Sequence, residues 1–177
     1  QTAASPPPSR PVINASDLHA RHILDMLNKY ADDSYLIVPS VNSQLVQEEL
    51  DHISKWAANN NLALNVSKTK EMIVKRPHTK TNIPPVTPRV ERVAFMNILG
   101  VMFQENMSFT MQVDRLVARG AQTMYALGTL KNHGLNNCAL WEVTHATLLS
   151  RLTYASQAWW GMLDSAGRQR LQGITNR

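Results

Sequence analysis

Leu27-Asn28-Lys29-Tyr30-Ala31-Asp32-Asp33-Ser34-Tyr35-Leu36-Ile37-Val38 is the stretch on which the fold turns. An apolar lead-in meets two adjacent carboxylates. An exit rich in aromatic and β-branched residues then runs to Pro39, which stops it. The pattern is strand, tight turn, strand, with the acidic pair at or beside the bend. Two like charges this close repel, and a divalent cation between them is the commonest chemical reason to build such a pair. With no cysteine or histidine beside it, an oxygen-only pair favours magnesium or manganese over zinc. Asp-Asp is also ordinary turn chemistry, because aspartate bonds its own backbone and tolerates tight bends. The neighbouring sequence decides between the two.

That neighbourhood includes Trp56-Ala57-Ala58-Asn59-Asn60-Asn61-Leu62-Ala63-Leu64-Asn65-Val66-Ser67-Lys68-Thr69-Lys70, then Ile98-Leu99-Gly100-Val101, then Tyr154-Ala155-Ser156-Gln157-Ala158-Trp159-Trp160-Gly161. Taken in this order and spacing, from about Val12 onward, the chain resembles the reverse transcriptase of non-LTR (LINE-type, jockey-like) retrotransposons. Tyr30-x-Asp32-Asp33 looks like that family's motif C, and Asn65-x-x-Lys68-Thr69 looks like its motif D. The Leu99-Gly100 segment lies where the primer-gripping hairpin follows.

The resemblance implies an α+β fold: the rear half of a polymerase palm, antiparallel hairpins packed on a helix, followed by an all-helical thumb. It divides the chain from residue 12 onward into a partial palm (12–105) and a helical thumb-like region (106–177) that the chain end truncates, while the polar, proline-rich composition of residues 1–11 predicts a disordered leader. It implies nucleotidyl transfer by two metal ions, Mg2+ or Mn2+, on an RNA template and DNA primer with deoxynucleoside triphosphates. Asp32 becomes the principal metal ligand and Asp33 the supporting one. Tyr30 packs or hydrogen-bonds beneath the hairpin near the primer end, and the small Ala31 lets nucleic acid approach. Lys68 stabilises or protonates the departing pyrophosphate; its alternative is a solvated lysine in a polar turn. Arg115 and Arg119, four apart on the polar side of a long helix, reach the phosphate backbone of a template–primer duplex. Their alternative is a solvated face shared with Asp114 and Gln122.

Composition sets wider bounds. The 177 residues give room for one domain, or a small domain with an appended subdomain, and 44% hydrophobic with 18% charged residues is ordinary for a globular chain. No apolar run is long enough for a bilayer and no secretory signal opens the chain, so the expectation is an intracellular protein, nuclear or cytoplasmic, without a membrane partner. The single cysteine, Cys138, forbids an internal disulfide and fits a reducing compartment; apolar neighbours suggest a packed thiol. The net charge of +5 is uneven: residues 1–88 hold nine Lys/Arg against eight Asp/Glu, residues 89–177 nine against five. A basic second half favours a polyanionic partner without specifying sequence.

Periodicity predicts the other elements. Ile13 to Leu18 closes a helix. Val46, Leu50, Ile53 and Ala57 mark the apolar stripe of a helix over 43–59, capped by Asn42 or Ser43 and stopped by Asn59-Asn60-Asn61, with Trp56 anchoring it to the sheet. Glu71 to Lys75 reads as a strand. The prolines at 77, 84, 85 and 88 mark an exposed connector. Arg89 to Phe103 holds a second hairpin broken at Asn97. Val113, Leu116, Gly120, Met124 and Leu127 predict one helix from Phe109 to Asn132 ending at Gly134, with Met111, Met124 and Tyr125 as core filling. Asn136 or Asn137 starts a helix to Arg151, Trp159 and Trp160 pack the helical half, and Asp164 caps a last helix. No zinc spacing accompanies His19 and His22, and neither a Gly-rich phosphate loop nor a Gly-x-Ser-x-Gly elbow is present.

Two features of the resembled family are missing. The aspartate of motif A belongs on an apolar strand before motif C, yet Asp17 and Asp25 are the only acids upstream of Tyr30, and neither sits in such a strand. The Pro-Gln-Gly stretch of motif B is absent as well. The expectation is therefore a fragment that does not polymerise DNA by itself. The rival expectation is a non-catalytic nucleic-acid-binding or interaction module that kept the fold and lost the reaction.

Overall fold

Alternating short strands and amphipathic helices give an α+β chain, and the computed structural model describes residues 15–75 and 82–176 of it. In order come β1 (Met26–Tyr30), β2 (Asp33–Ile37), a 3-10 turn over Ser40–Leu45, α1 (Val46–Asn59), β3 (Lys70–Glu71), β4 (Glu91–Arg92), β5 (Phe95–Ile98) and β6 (Val101–Gln104). Helices follow: α2 (Thr110–Asn132), α3 (Asn137–Thr144), α4 (Ser150–Thr153), α5 (Ser156–Trp159) and α6 (Ser165–Thr175). The leader at 1–11, the Val12–Asn14 segment and Pro77 lie outside the described residues. Two compact units emerge, one from residues 1–69 with 84–91 and the other from 70–83 with 92–177. The β5–β6 hairpin thus packs with the helices, whereas the sequence division at residue 105 groups it with the acidic hairpin.

In the first unit β1 and β2 pair antiparallel from Met26 opposite Ile37 to Tyr30 opposite Asp33. The expected helix over Ile13–Leu18 does not extend through its described part, which is a turn closed by Leu18 N–H on the Ala15 carbonyl at 3.2 Å. α1 begins at Val46 and lacks the expected side-chain cap. Asn42 is committed elsewhere, donating to the Ile23 carbonyl at 2.9 Å and to Asp25 Oδ1 at 2.8 Å. The end of α1 is as expected. Asn61 sits at φ +56, and Leu62 N–H reaches the Ala57 carbonyl at 2.8 Å while Asn61 N–H reaches Ala58 at 3.2 Å, the two bonds of a Schellman stop. Trp56, expected to anchor the helix to the sheet, donates its indole N–H to Asp17 Oδ2 at 3.0 Å.

The second unit holds the larger apolar core, where Val101, Phe109, Val113, Leu148, Trp159 and Leu171 are buried together. Phe103 and Phe109 meet edge to face at 5.1 Å. Burying each such side chain contributes about 1.5–3 kcal/mol before entropy is charged against it. The strand expected over Glu71–Lys75 shrinks to Lys70–Glu71, while Glu71 Oε1 accepts from Arg92 Nε at 2.9 Å. The second hairpin turns at Leu99-Gly100, and Asn97 lies inside β5 opposite Met102. α2 ends where its pattern does: Gly134 has φ +88, with Leu135 N–H on the Leu130 carbonyl at 3.1 Å. The helix expected to reach Arg151 does so, passing through a π-helical stretch over His145–Leu149 and on to Thr153. Asn136 caps α3 and Asp164 caps α6, accepting from Gly167 N–H at 2.7 Å. Tyr125 is not core filling, since 81% of it is exposed, and Cys138 is exposed near the start of α3. Trp159 is buried, but Trp160 remains 41% exposed while touching it edge-on.

Candidate functional site: an acidic hairpin turn

Register fixes the chemistry of the β1–β2 tip. With Tyr30 paired to Asp33, only Ala31 and Asp32 are left to make the turn. Ala31 takes φ +52, the sign that a two-residue II′ turn demands at its first central position, where glycine is the usual occupant. An alanine there carries roughly 1–2 kcal/mol of strain, which the five paired positions of the hairpin offset. Asp32 and Asp33 are both exposed. Tyr35 hydroxyl donates to Asp33 Oδ2 at 3.3 Å from the same face of the ladder.

Tyr30 differs from expectation. It is 65% exposed on the face that also presents Met26 and Ile37 to solvent, so it does not pack beneath the hairpin. The opposite face is pinned by Lys29, whose ammonium donates to the Leu18 carbonyl at 2.5 Å and to the carbonyl of Ala15.

The donor set at the tip is two carboxylates with a tyrosine hydroxyl on one of them. It fits a hard cation such as Mg2+ or Mn2+, which takes one or two protein carboxylates and completes its shell with water and phosphate oxygens. Among the described residues no group of three or more His, Cys, Asp or Glu side chains is gathered closely enough to hold a metal by itself.

Lys68 ends a 3-10 turn over Val66–Lys68 and is exposed. Asn65 builds that turn: its Oδ1 accepts from Ser67 Oγ at 2.7 Å and from Lys68 N–H at 3.3 Å. Its carbonyl accepts from Thr69 Oγ1 at 2.9 Å. The Asn-x-x-Lys-Thr spacing therefore has a local physical meaning, a side-chain-organised turn that presents a lysine. Arg115 and Arg119 belong to the second unit. Arg119 is exposed, while Arg115 is half-buried, with Nη1 3.5 Å from the Gly100 carbonyl. Asp114, expected beside them on a solvated face, pairs with Arg170 Nη2 at 2.8 Å.

Two organising residues had no role assigned from sequence. Glu49 is fully buried, and its carboxylate accepts from Arg21 N–H at 2.8 and 3.0 Å and from His22 N–H at 2.7 Å. The available signal was the stripe Glu49, Ile53, Ala57, three positions four apart that are the buried residues of α1. Tyr154, noted only within its aromatic stretch, donates its hydroxyl to the Leu99 carbonyl at 2.8 Å. Among the described residues no helix is long and apolar enough to cross a membrane. Comparison of the chain with protein-family models, with curated proteins and with solved structures finds no match.

Proposed function

We propose that this chain is the motif C, motif D and thumb portion of an RNA-directed DNA polymerase of the non-LTR retrotransposon type, and that these 177 residues alone do not extend a primer. The observation that supports the reading most is the two-residue acidic turn, with Ala31 at φ +52 and Asp32 and Asp33 exposed at its tip. In this reading Asp32 and Asp33 hold the divalent cation, Tyr30 and Ala31 lie against the primer end, and Lys68 offers a proton or a positive charge to pyrophosphate. The cation supplies acidification of a primer hydroxyl and offsets charge on the transferring phosphate. Arg115 and Arg119 serve as backbone contacts for duplex on the second unit. Two carboxylates leave a two-metal centre short of protein ligands, which is why the chain by itself is inactive.

Manganese titration followed by amide NMR tests the metal reading. Paramagnetic broadening is expected first at Asp32, Asp33 and Ser34, and is lost in the Asp32→Asn, Asp33→Asn double variant. Broadening that starts elsewhere refutes the assignment. Primer extension on a primed RNA template tests the rest: robust synthesis by the purified chain overturns the inactivity.

A second reading, a non-catalytic nucleic-acid-binding module, is favoured by the basic excess of residues 89–177. It requires salt-sensitive binding of an RNA–DNA duplex that is unchanged when Asp32 and Asp33 become alanine.

A further inference from the structure

The β5–β6 turn puts Leu99 in a conformation that a leucine does not favour. Leu99 takes φ +47 and Gly100 φ +88, the two positive values of a type I′ turn. A leucine in the left-handed region is uncommon and persists where surrounding contacts over-determine it. Those contacts come from two distant segments. Tyr154 hydroxyl donates to the Leu99 carbonyl at 2.8 Å, and a Cβ on Gly100 would stand 3.3 Å from Tyr154 Cε1. Arg115 Nη1 lies 3.5 Å from the Gly100 carbonyl. Tyr154 is itself fixed, since the indole of the buried Trp159 donates to its carbonyl at 3.2 Å and Ala155 takes φ +48 to make that return.

Core packing does not require this arrangement at the surface. Leu99 is 40% and Tyr154 54% exposed, and neither belongs to the buried apolar cluster. What it does organise is a rigid tip with a guanidinium beside it. The long contact to Gly100 engages one of the five N–H donors of Arg115 in a fork whose geometry matches phosphate.

We infer that Tyr154 is a positioning residue: it locks the Leu99–Gly100 turn, and with it Arg115, in the shape that meets the sugar-phosphate backbone of a bound nucleic-acid strand. This rests on the nucleic-acid reading above and gives Tyr154, until now only the first residue of an aromatic stretch, a role of its own.

The test is fluorescence anisotropy of a labelled, primed RNA–DNA duplex with the full chain over a series of salt concentrations, for wild type, Tyr154→Phe, Arg115→Ala and the double variant. Tyr154→Phe removes one oxygen and no charge. It is expected to weaken binding about three- to tenfold, the equivalent of one neutral hydrogen bond, with an unchanged salt slope. Arg115→Ala lowers the slope by about one counterion. Because both side chains act on one turn, the double variant loses less than the product of the two effects. Unchanged affinity in Tyr154→Phe, or full multiplicativity in the double variant, overturns the inference while leaving the nucleic-acid reading standing. Wild-type chain that binds no duplex removes that reading, and the inference with it. Faster amide exchange at Gly100 and Val101 in Tyr154→Phe, at unchanged circular dichroism, is the expected structural signature; unchanged exchange also overturns it.

Discussion

Replacing Glu49 is the sharpest perturbation of the unit that carries the acidic turn. Its carboxylate is fully buried and receives Arg21 N–H at 2.8 and 3.0 Å and His22 N–H at 2.7 Å. Glu49→Ala leaves two backbone donors without their acceptor and opens a cavity beside Ile53. Each stranded donor costs about 1–3 kcal/mol, so the two together cost about 2–6 kcal/mol, a large share of the stability of a small unit. Glu49→Gln is more discriminating. Its carbonyl can occupy the Oε1 position, which serves both donors, but its amide nitrogen then faces Arg21 N–H across the 3.0 Å now spanned by Oε2. The cost should fall near 1–3 kcal/mol, between wild type and alanine. Urea unfolding gives the totals, and amide exchange at Arg21 and His22 locates them. A change below about 0.5 kcal/mol for Glu49→Ala, at constant m value, refutes the assignment of this carboxylate as the anchor of the 21–22 segment.

Asp17 has its pKa lowered from the ordinary 3.8, first through the hydrogen bond it accepts from the Trp56 indole, partly opposed by desolvation. A depressed folded value means a stabilising contribution that is present above the unfolded value and lost as pH falls through the folded one. Trp56→Phe should therefore move the Asp17 carboxyl titration upward in NMR, and should flatten the stability loss in the acid range below about pH 4. The glycines of α2 give opposite signs. Gly128→Ala meets nothing within 4 Å and should gain up to about 1 kcal/mol of helix propensity. Gly120→Ala would put a Cβ 3.1 Å from both Ile174 Cδ1 and Ile174 Cγ2 in the α2–α6 contact, and should lower the urea midpoint.

What sequence could show follows the range of the interactions. The acidic turn, the stops at Asn61 and Gly134 and the caps at Asn136 and Asp164 are local chemistry, settled within a few residues, and they were legible. Asn42 was misread as a cap because its partners, Ile23 and Asp25, lie 19 and 17 residues away. Tyr125 was misread because its place on α2 borders the apolar stripe without joining it. Its ring ends 81% exposed. The turn at Leu99 was placed two residues early, since a leucine at positive φ carries no local signal; its support comes from Tyr154, 55 residues on. Lys68 and its Asn65-built turn were legible because the turn closes on itself within five residues.

A separation between ordering and chemistry follows for the first unit. Its buried apolar side chains among the described residues are Leu18, Ile53, Ala57 and Val90, a small set for the backbone they must hold. The segment ahead of the hairpin is tied down instead by polar groups reaching backbone: Glu49 to Arg21 and His22, Lys29 to Ala15 and Leu18, and Asn42 to Ile23. None of these bonds involves Asp32 or Asp33, which are placed by the five-pair ladder and the Ala31 turn, with the Tyr35 hydroxyl donating to Asp33. Removing the exposed carboxylates should thus leave folding nearly untouched, whereas removing Glu49 or Lys29 should disorder the segment with both carboxylates still present. If the exposed pair can be deleted without loss of stability, its place beside the left-handed Ala31 answers to something other than folding, which is the outcome the proposed cation-binding role requires.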